Sequence, residues 1–93
     1  MSKESWIVFE INCPGFPVHF QMSDRPMTDE EVSDLMEVAS GYEIDLSEWG
    51  LSVRCRFCIS LSYMSVETKE DAEKILETAR KEGKIWGDSP QYG

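Results

Sequence analysis

The first quarter of the chain has the residue pattern of two paired strands. Residues 5–13 are rich in β-branched and aromatic types, with Ile7, Phe9, Ile11 and Cys13 on one face of a strand and Trp6, Val8, Glu10 and Asn12 on the other. Pro14-Gly15-Phe16-Pro17 has the composition of a tight turn, because proline fixes φ and glycine tolerates positive φ. Residues 18–22 alternate apolar and polar side chains. We therefore expect a hairpin formed by 5–13 and 18–22.

Two later segments repeat apolar residues at the period of a helix. Thr28-Asp29-Glu30-Glu31 has the sequence of a capping box, which predicts a helix over 28–40 with Gly41 as its left-handed end. Thr68 is expected to cap a second helix that runs to about Glu82. The expected core-facing stripes are Val32, Leu35, Met36 and Ala39 in the first helix, and Ala72, Ile75, Leu76 and Ala79 in the second.

Residues 51–63 show the longest alternation and predict a strand with one buried and one polar face. Two strands that meet at a bend would give the same pattern, so the sequence leaves open whether this segment forms one strand or two. The order β-β-α-β-α indicates an α+β fold, a small antiparallel sheet of about three strands with both helices packed on one face. All 93 residues are expected to form one domain with a flexible tail at 87–93.

Composition agrees with a folded domain outside the membrane. Hydrophobic residues make up 41% of the chain, enough for a modest core. The apolar runs are far shorter than the roughly 20 residues of a transmembrane helix. Residues 1–5 lack the apolar stretch of a signal peptide, so a cytoplasmic location is expected.

The negative charge is concentrated in one segment. The net charge of the chain is -9, and residues 24–48 carry nine acidic side chains against the single base Arg25. Residues 49–93 are neutral, with seven acids and seven bases. A chain with this balance repels nucleic acid and anionic membranes and attracts basic surfaces.

The first helix arranges part of this charge in a row. Glu30, Asp34 and Glu37 follow i, i+4, i+7, so their carboxylates recur about every 5–6 Å, a scale comparable with the phosphates of one DNA strand. Tyr42 and Trp49 are expected to serve as aromatic anchors. The acidic residues expected to contact a partner are Asp29, Glu30, Asp34, Glu37, Glu43, Asp45 and Glu48.

Catalysis and metal binding have weaker signals. His19 is the only histidine, and no nucleophile elbow, phosphate-binding glycine loop or His-Glu-x-x-His motif is present, so we expect no enzyme and no cofactor. Cys55 and Cys58 form a Cys-x-x-Cys pair that, with Cys13 and His19, would complete a Cys3His zinc set. On a flat strand the two cysteines of that pair would point to opposite faces.

In size and charge alone, the chain is similar to small acidic phage-encoded inhibitors such as anti-CRISPR proteins and other DNA mimics. This resemblance implies an inhibitor that occupies the basic, nucleic-acid-binding surface of a larger complex, in the host cytoplasm if phage-encoded. Such a protein binds neither nucleic acid nor membrane directly. The alternatives are a structural or regulatory domain that forms a homodimer through its sheet, and the zinc-binding module.

Overall fold

The computed structural model describes residues 4–56 and 59–83 of the chain. Its order of strands and helices confirms an α+β fold with an antiparallel sheet and two helices. The tail expected at 87–93 lies outside the described residues. The elements are β1 (Glu4–Asn12), β2 (His19–Met22), β3 (Met27–Thr28), α1 (Asp29–Ala39), β4 (Ile44–Asp45), a 3-10 turn (Ser47–Trp49), β5 (Arg54–Cys55), β6 (Ser60–Val66) and α2 (Lys69–Glu82).

Strand β1 is the centre of the main sheet. It pairs antiparallel with β2, with β6 and, at its first two residues, with the short β3. The expected hairpin of β1 and β2 is confirmed. Its turn is closed by the Phe16 N–H, which donates to the Cys13 carbonyl at 3.1 Å, and Gly15 holds φ at 84°. Proline followed by glycine at positive φ is the pattern of a type II turn.

The two helices cover opposite faces of the main sheet. Successive strand residues point to opposite faces. Ile7 and Phe9 lie in one buried cluster with Leu35 of α1, whereas Val8 lies in a second buried cluster with Ala72 of α2. This arrangement corrects the expectation that both helices share one face. The physical reason is that β1 is apolar on both sides, so each side needs its own cover.

The alternating segment at 51–63 belongs to two strands in two sheets. β5 pairs with β4 in a separate two-stranded sheet, whereas β6 pairs with β1 and continues to Val66. Residues 57 and 58, between the two strands, lie outside the described part. Leu51 and Val53 are buried as expected, because alternation fixes which face is buried. Alternation does not fix which strand is the partner.

The ends of the helices follow their capping residues with one exception. The capping box at α1 is confirmed: the Thr28 hydroxyl accepts from the Glu31 N–H, and the Glu31 carboxylate accepts from the Thr28 N–H. Gly83 ends α2 in the left-handed conformation, as expected. The expectation of a left-handed Gly41 is wrong, because α1 ends at Ser40 with φ at -91° and the chain turns at Glu43, whose φ is 54°.

Side chains complete the β2 edge of the main sheet. The buried Ser23 hydroxyl accepts from the Ile7 N–H at 3.1 Å, and the Ser23 N–H donates to the Ile7 carbonyl at 2.8 Å. Further along, the Gln21 side chain accepts from the Ser52 N–H at 2.8 Å. The Ser23 bonds continue the pairing of β1 beyond the end of β2, and the Gln21 bond connects β2 to the segment before β5. Neither α1 nor α2 has the length and apolar character that crossing a membrane requires.

Candidate partner-binding surface

The acidic row of α1, defined as Glu30, Asp34 and Glu37, lies fully on the exposed side of the helix. The opposite side of α1 is buried through Val32 and Leu35, so the row points away from the sheet. Within residues 4–56 and 59–83, no ion pair or side-chain hydrogen bond engages a carboxylate of the row. No base in the described part of the chain therefore compensates the negative charge of the row.

The base nearest in sequence is committed elsewhere. Arg25 lies 2.8 Å from Asp24 and 3.8 Å from Glu31. Glu31 in turn caps the helix, so it belongs to the structure of the N-terminus rather than to the row. Asp29, in the first turn of α1, is exposed next to the row. Glu31 thus stabilises the start of the helix, whereas Asp29 and the acidic row are exposed to solvent.

The dipole of α1 makes the three acidic positions of the row differ in their effect on the stability of the fold. α1 has acidic residues in its first turn and no basic residue in its last turn. The helix dipole favours negative charge at the N-terminus and disfavours it at the C-terminus. Glu30 is therefore well placed, whereas Glu37 faces the negative end of the helix and also lies three residues from Asp34. A charge that costs stability fits a role in binding.

Glu37→Gln should therefore stabilise the fold, by about 0.3–1 kcal/mol in the free energy of unfolding at low salt. Glu30→Gln, the control in the first turn, loses the favourable N-terminal charge but also relieves the repulsion with Asp34, so it should destabilise the fold by a smaller amount. Urea unfolding of both variants and of the wild type gives the sign of each change in the free energy of unfolding. Equal effects of the same sign would show that the helix dipole does not govern the row.

Two apolar side chains lie exposed at the C-terminal end of the row. Val38, which is 40% exposed, follows Asp34 by four residues and so lies on the same side of the helix. Tyr42, which is 80% exposed, follows just after the helix. Aromatic residues in this position are frequent anchors of protein interfaces. The structure therefore keeps Tyr42 available as an anchor and adds Val38.

Trp49 does not share this exposure. It is 8% exposed and packs in the same buried cluster as Leu46, Leu51 and Val53. The 3-10 turn that carries it ends at Gly50, which holds φ at 81°, and this turn directs the indole inward. The expectation of an exposed anchor at Trp49 is thus corrected: the ring is a core residue beneath the acidic connection.

The acidic connection after α1 has bases beside it. Glu43, Asp45 and Glu48 are all exposed, but the β4–β5 pairing brings Arg54 directly opposite Asp45, at 3.5 Å between their charged atoms. The Ser47 N–H also donates to the Asp45 carboxylate at 3.0 Å. That bond, with the hydroxyl of Ser47 and the Arg54 charge, lowers the pKa of Asp45. Asp45 therefore serves the local turn, whereas Glu43 and Glu48 remain candidates for partner contact.

The residues considered for catalysis and metal binding lie elsewhere. His19 lines a shallow groove with Gln21, Ser52 and Arg80. No carboxylate or thiol of the described residues lines that groove. In the described ranges no three His, Cys, Asp or Glu side chains converge as metal ligands, and Cys58 of the zinc hypothesis lies outside these ranges.

Comparison of the chain with protein-family models, curated proteins and solved structures gives no match.

Sequence reasoning missed three features of the surface. Val38 is an apolar residue on the otherwise polar side of α1, and the sequence indicates this because Val38 lies off the core-facing stripe. Phe16 is 70% exposed at the tip of the hairpin, where a turn residue has little cover. Cys13 and Cys55 were grouped only as members of a zinc set, and no signal in the sequence indicated that these two lie near each other as a pair.

Proposed function

We propose that this protein is a non-enzymatic inhibitor that binds the basic, nucleic-acid-binding surface of a larger protein. It acts as DNA mimics and anti-CRISPR proteins do, in the cytoplasm, or in the host cytoplasm if phage-encoded. The observation that carries the proposal is the acidic row on the exposed side of α1, free of basic partners in the described part of the chain.

Rigidity is the first support for this function. Glu30, Asp34 and Glu37 project from a helix that is capped at its start and buried along its other side. Their spacing of about 5–6 Å allows one cationic groove to meet several carboxylates at once. A basic surface that releases counterions on binding phosphates would release them equally on binding this row.

The second support is the apolar end of the row. Charge complementarity gives speed and specificity, but affinity in protein interfaces comes mainly from buried aromatic and apolar anchors. Tyr42 and Val38 offer such anchors next to Glu37. A surface that combines the two fits a protein partner better than a small cation.

Binding to purified proteins tests the proposal. Fluorescently labelled chain is titrated with a panel of RNA-guided and other DNA-binding enzymes, and anisotropy is read at several salt concentrations. We expect at least one complex, with affinity that falls steeply as salt rises and with displacement by duplex DNA. A panel that shows no binding at low salt, or complexes that duplex DNA does not displace, would refute the mimic.

A second candidate function, self-association, is favoured by the edge of the main sheet. Among the described residues β6 pairs with β1 alone, and its sequence SLSYMSV contains neither a charged residue nor a proline. Natural edge strands usually carry such residues to prevent pairing. Ser65 lies opposite Ile7 in the pairing of β1 with β6. The N–H and C=O of Ile7 bond to Ser23, on the β2 side of β1. The N–H and C=O of Ser65 therefore point away from β1, toward the open edge of β6.

A dimer formed through β6 should strengthen as salt rises, because two copies of net charge -9 repel each other and salt screens that repulsion. Ser65→Pro removes an N–H from the edge and should abolish the dimer, and Ser65→Lys should weaken it. Sedimentation at low and high salt, with circular dichroism to confirm folding, measures both. A monomer at all salt concentrations would exclude this function.

A further inference from the structure

Two thiols from distant parts of the chain meet beside the β4–β5 sheet. Cys13 follows β1 directly, and Cys55 is the last residue of β5. Both side chains pack against the same buried cluster, and the Cys55 thiol is near enough to Cys13 to influence its pKa. Both are free cysteines of intermediate exposure. Two neighbouring thiols on a folded backbone are the arrangement from which a disulfide forms.

The surroundings give a reagent access to the pair. Cys55 and Pro14, the neighbour of Cys13, line an open groove of about 560 Å3. Arg54 and Arg56 line the same groove together with Glu43 and Asp45, so two bases and two acids face it. Glutathione disulfide is an anion at neutral pH, and this balanced groove repels it less than the acidic segment 24–48 as a whole would.

We propose that Cys13 and Cys55 form a reversible disulfide by exchange with glutathione disulfide. The Cys55 thiolate attacks one sulfur of glutathione disulfide, which forms a mixed disulfide and releases one glutathione thiolate. The Cys13 thiolate then attacks the Cys55 sulfur, and the second glutathione thiolate leaves. Each cysteine gives its proton to solvent and each released glutathione takes one up. Two cysteines are oxidised and one glutathione disulfide is reduced to two glutathione molecules.

The environment of Cys13 sets the pH at which the exchange runs. Burial, and then the nearby Cys55 thiol, raise the pKa of Cys13 above its ordinary value. Since the thiolate is the attacking form, closure should be slow at neutral pH and should accelerate as pH rises. In a reducing cytoplasm the bond would form only under oxidation.

The bond would connect the end of β1 to β5, and through β5 to the strand that carries Asp45. A link between such distant residues restricts the unfolded chain strongly, so the midpoint of thermal unfolding should rise by about 10 °C on oxidation. Addition of dithiothreitol should reverse the rise.

Trypsin separates the three cysteines and makes the pairing measurable. Cleavage after Lys3, Arg54, Arg56 and Lys69 leaves Cys13 in peptide 4–54, Cys55 in peptide 55–56 and Cys58 in peptide 57–69, because the Arg25–Pro26 bond resists trypsin. The folded protein is incubated with glutathione disulfide, alkylated and digested, and the peptides are identified by mass spectrometry. We expect peptide 4–54 to be linked to peptide 55–56.

Variants make the test specific. Cys58→Ser should keep both the link and the thermal shift, whereas Cys13→Ser and Cys55→Ala should each lose both. If a variant fails to fold, the wild-type peptide map alone decides. A link that involves peptide 57–69 instead, or glutathione retained separately on Cys13 and Cys55, would overturn the proposal, as would unmodified thiols after incubation at pH 9.

Discussion

Simultaneous replacement of Glu30, Asp34 and Glu37 by lysine should lower affinity for a basic, DNA-binding partner roughly 100-fold or more. The row then presents like charges to the partner, and like-charge contact in an interface costs several kcal/mol. The fold should remain, because all three side chains are exposed and none makes a capping bond. Anisotropy titrations at low and moderate salt, with circular dichroism as the check on folding, give the measurement.

The matched control lies on the other helix. Glu70, Glu73 and Glu77 of α2 are also exposed, and α2 lies on the opposite face of the main sheet. Their replacement by lysine changes the net charge by the same amount at a different place. Long-range attraction should weaken somewhat in this control, but the complex should persist. Equal losses for the two triple variants would mean that total charge governs binding, which contradicts a specific acidic row.

Trp49→Ala should destabilise the protein by about 3–5 kcal/mol, because it removes a large side chain from the core. Most domains have a free energy of unfolding of only about 5–15 kcal/mol, so this is among the largest losses that one substitution can cause. Tyr42→Ala should leave stability within about 0.5 kcal/mol, since the ring is 80% exposed. Tyr42→Ala should instead reduce partner affinity about tenfold or more.

The two aromatic variants are separated by two measurements. Urea unfolding reports stability, and titration with the partner at a temperature where both variants are folded reports affinity. Trp49→Ala should lose stability and, once folded, keep the affinity of the acidic row. The assignments of both rings fail if Tyr42→Ala proves the more destabilised variant, or if Trp49→Ala weakens binding of the folded protein more than Tyr42→Ala does.

Local signals in the sequence were reliable where short-range chemistry decides the structure. The capping box at Thr28, the proline-glycine turn at 14–15 and the glycine end at Gly83 all have the geometry expected of them. Each depends on residues within a few positions of one another. The expected left-handed end at Gly41 was wrong. The last two helical carbonyls, of Val38 and Ala39, accept from the N–H groups of Gly41 and Ile59, and the positive φ falls at Glu43.

In the candidate site, too, features set by near neighbours were predictable and features set by distant residues were not. The exposure of the acidic row follows from helical period alone, because the apolar stripe of α1 fixes which side faces the core. Asp45 and Trp49 were placed in one surface by their nearness in sequence, yet one pairs with Arg54 and the other is buried. Their roles depend on β5, which returns beside β4 from later in the chain.

The sequence by itself determined the α+β class, the two helices with their apolar stripes, the β1–β2 hairpin and the negative row on α1. These follow from periodicity and from hydrogen bonds between near neighbours. Only the tertiary structure decided that the helices cover opposite faces, that the segment at 51–63 serves two sheets, and that Cys13 meets Cys55. A pattern of alternation fixes which side of a strand is buried, but the partner of that side is chosen by packing across the whole chain.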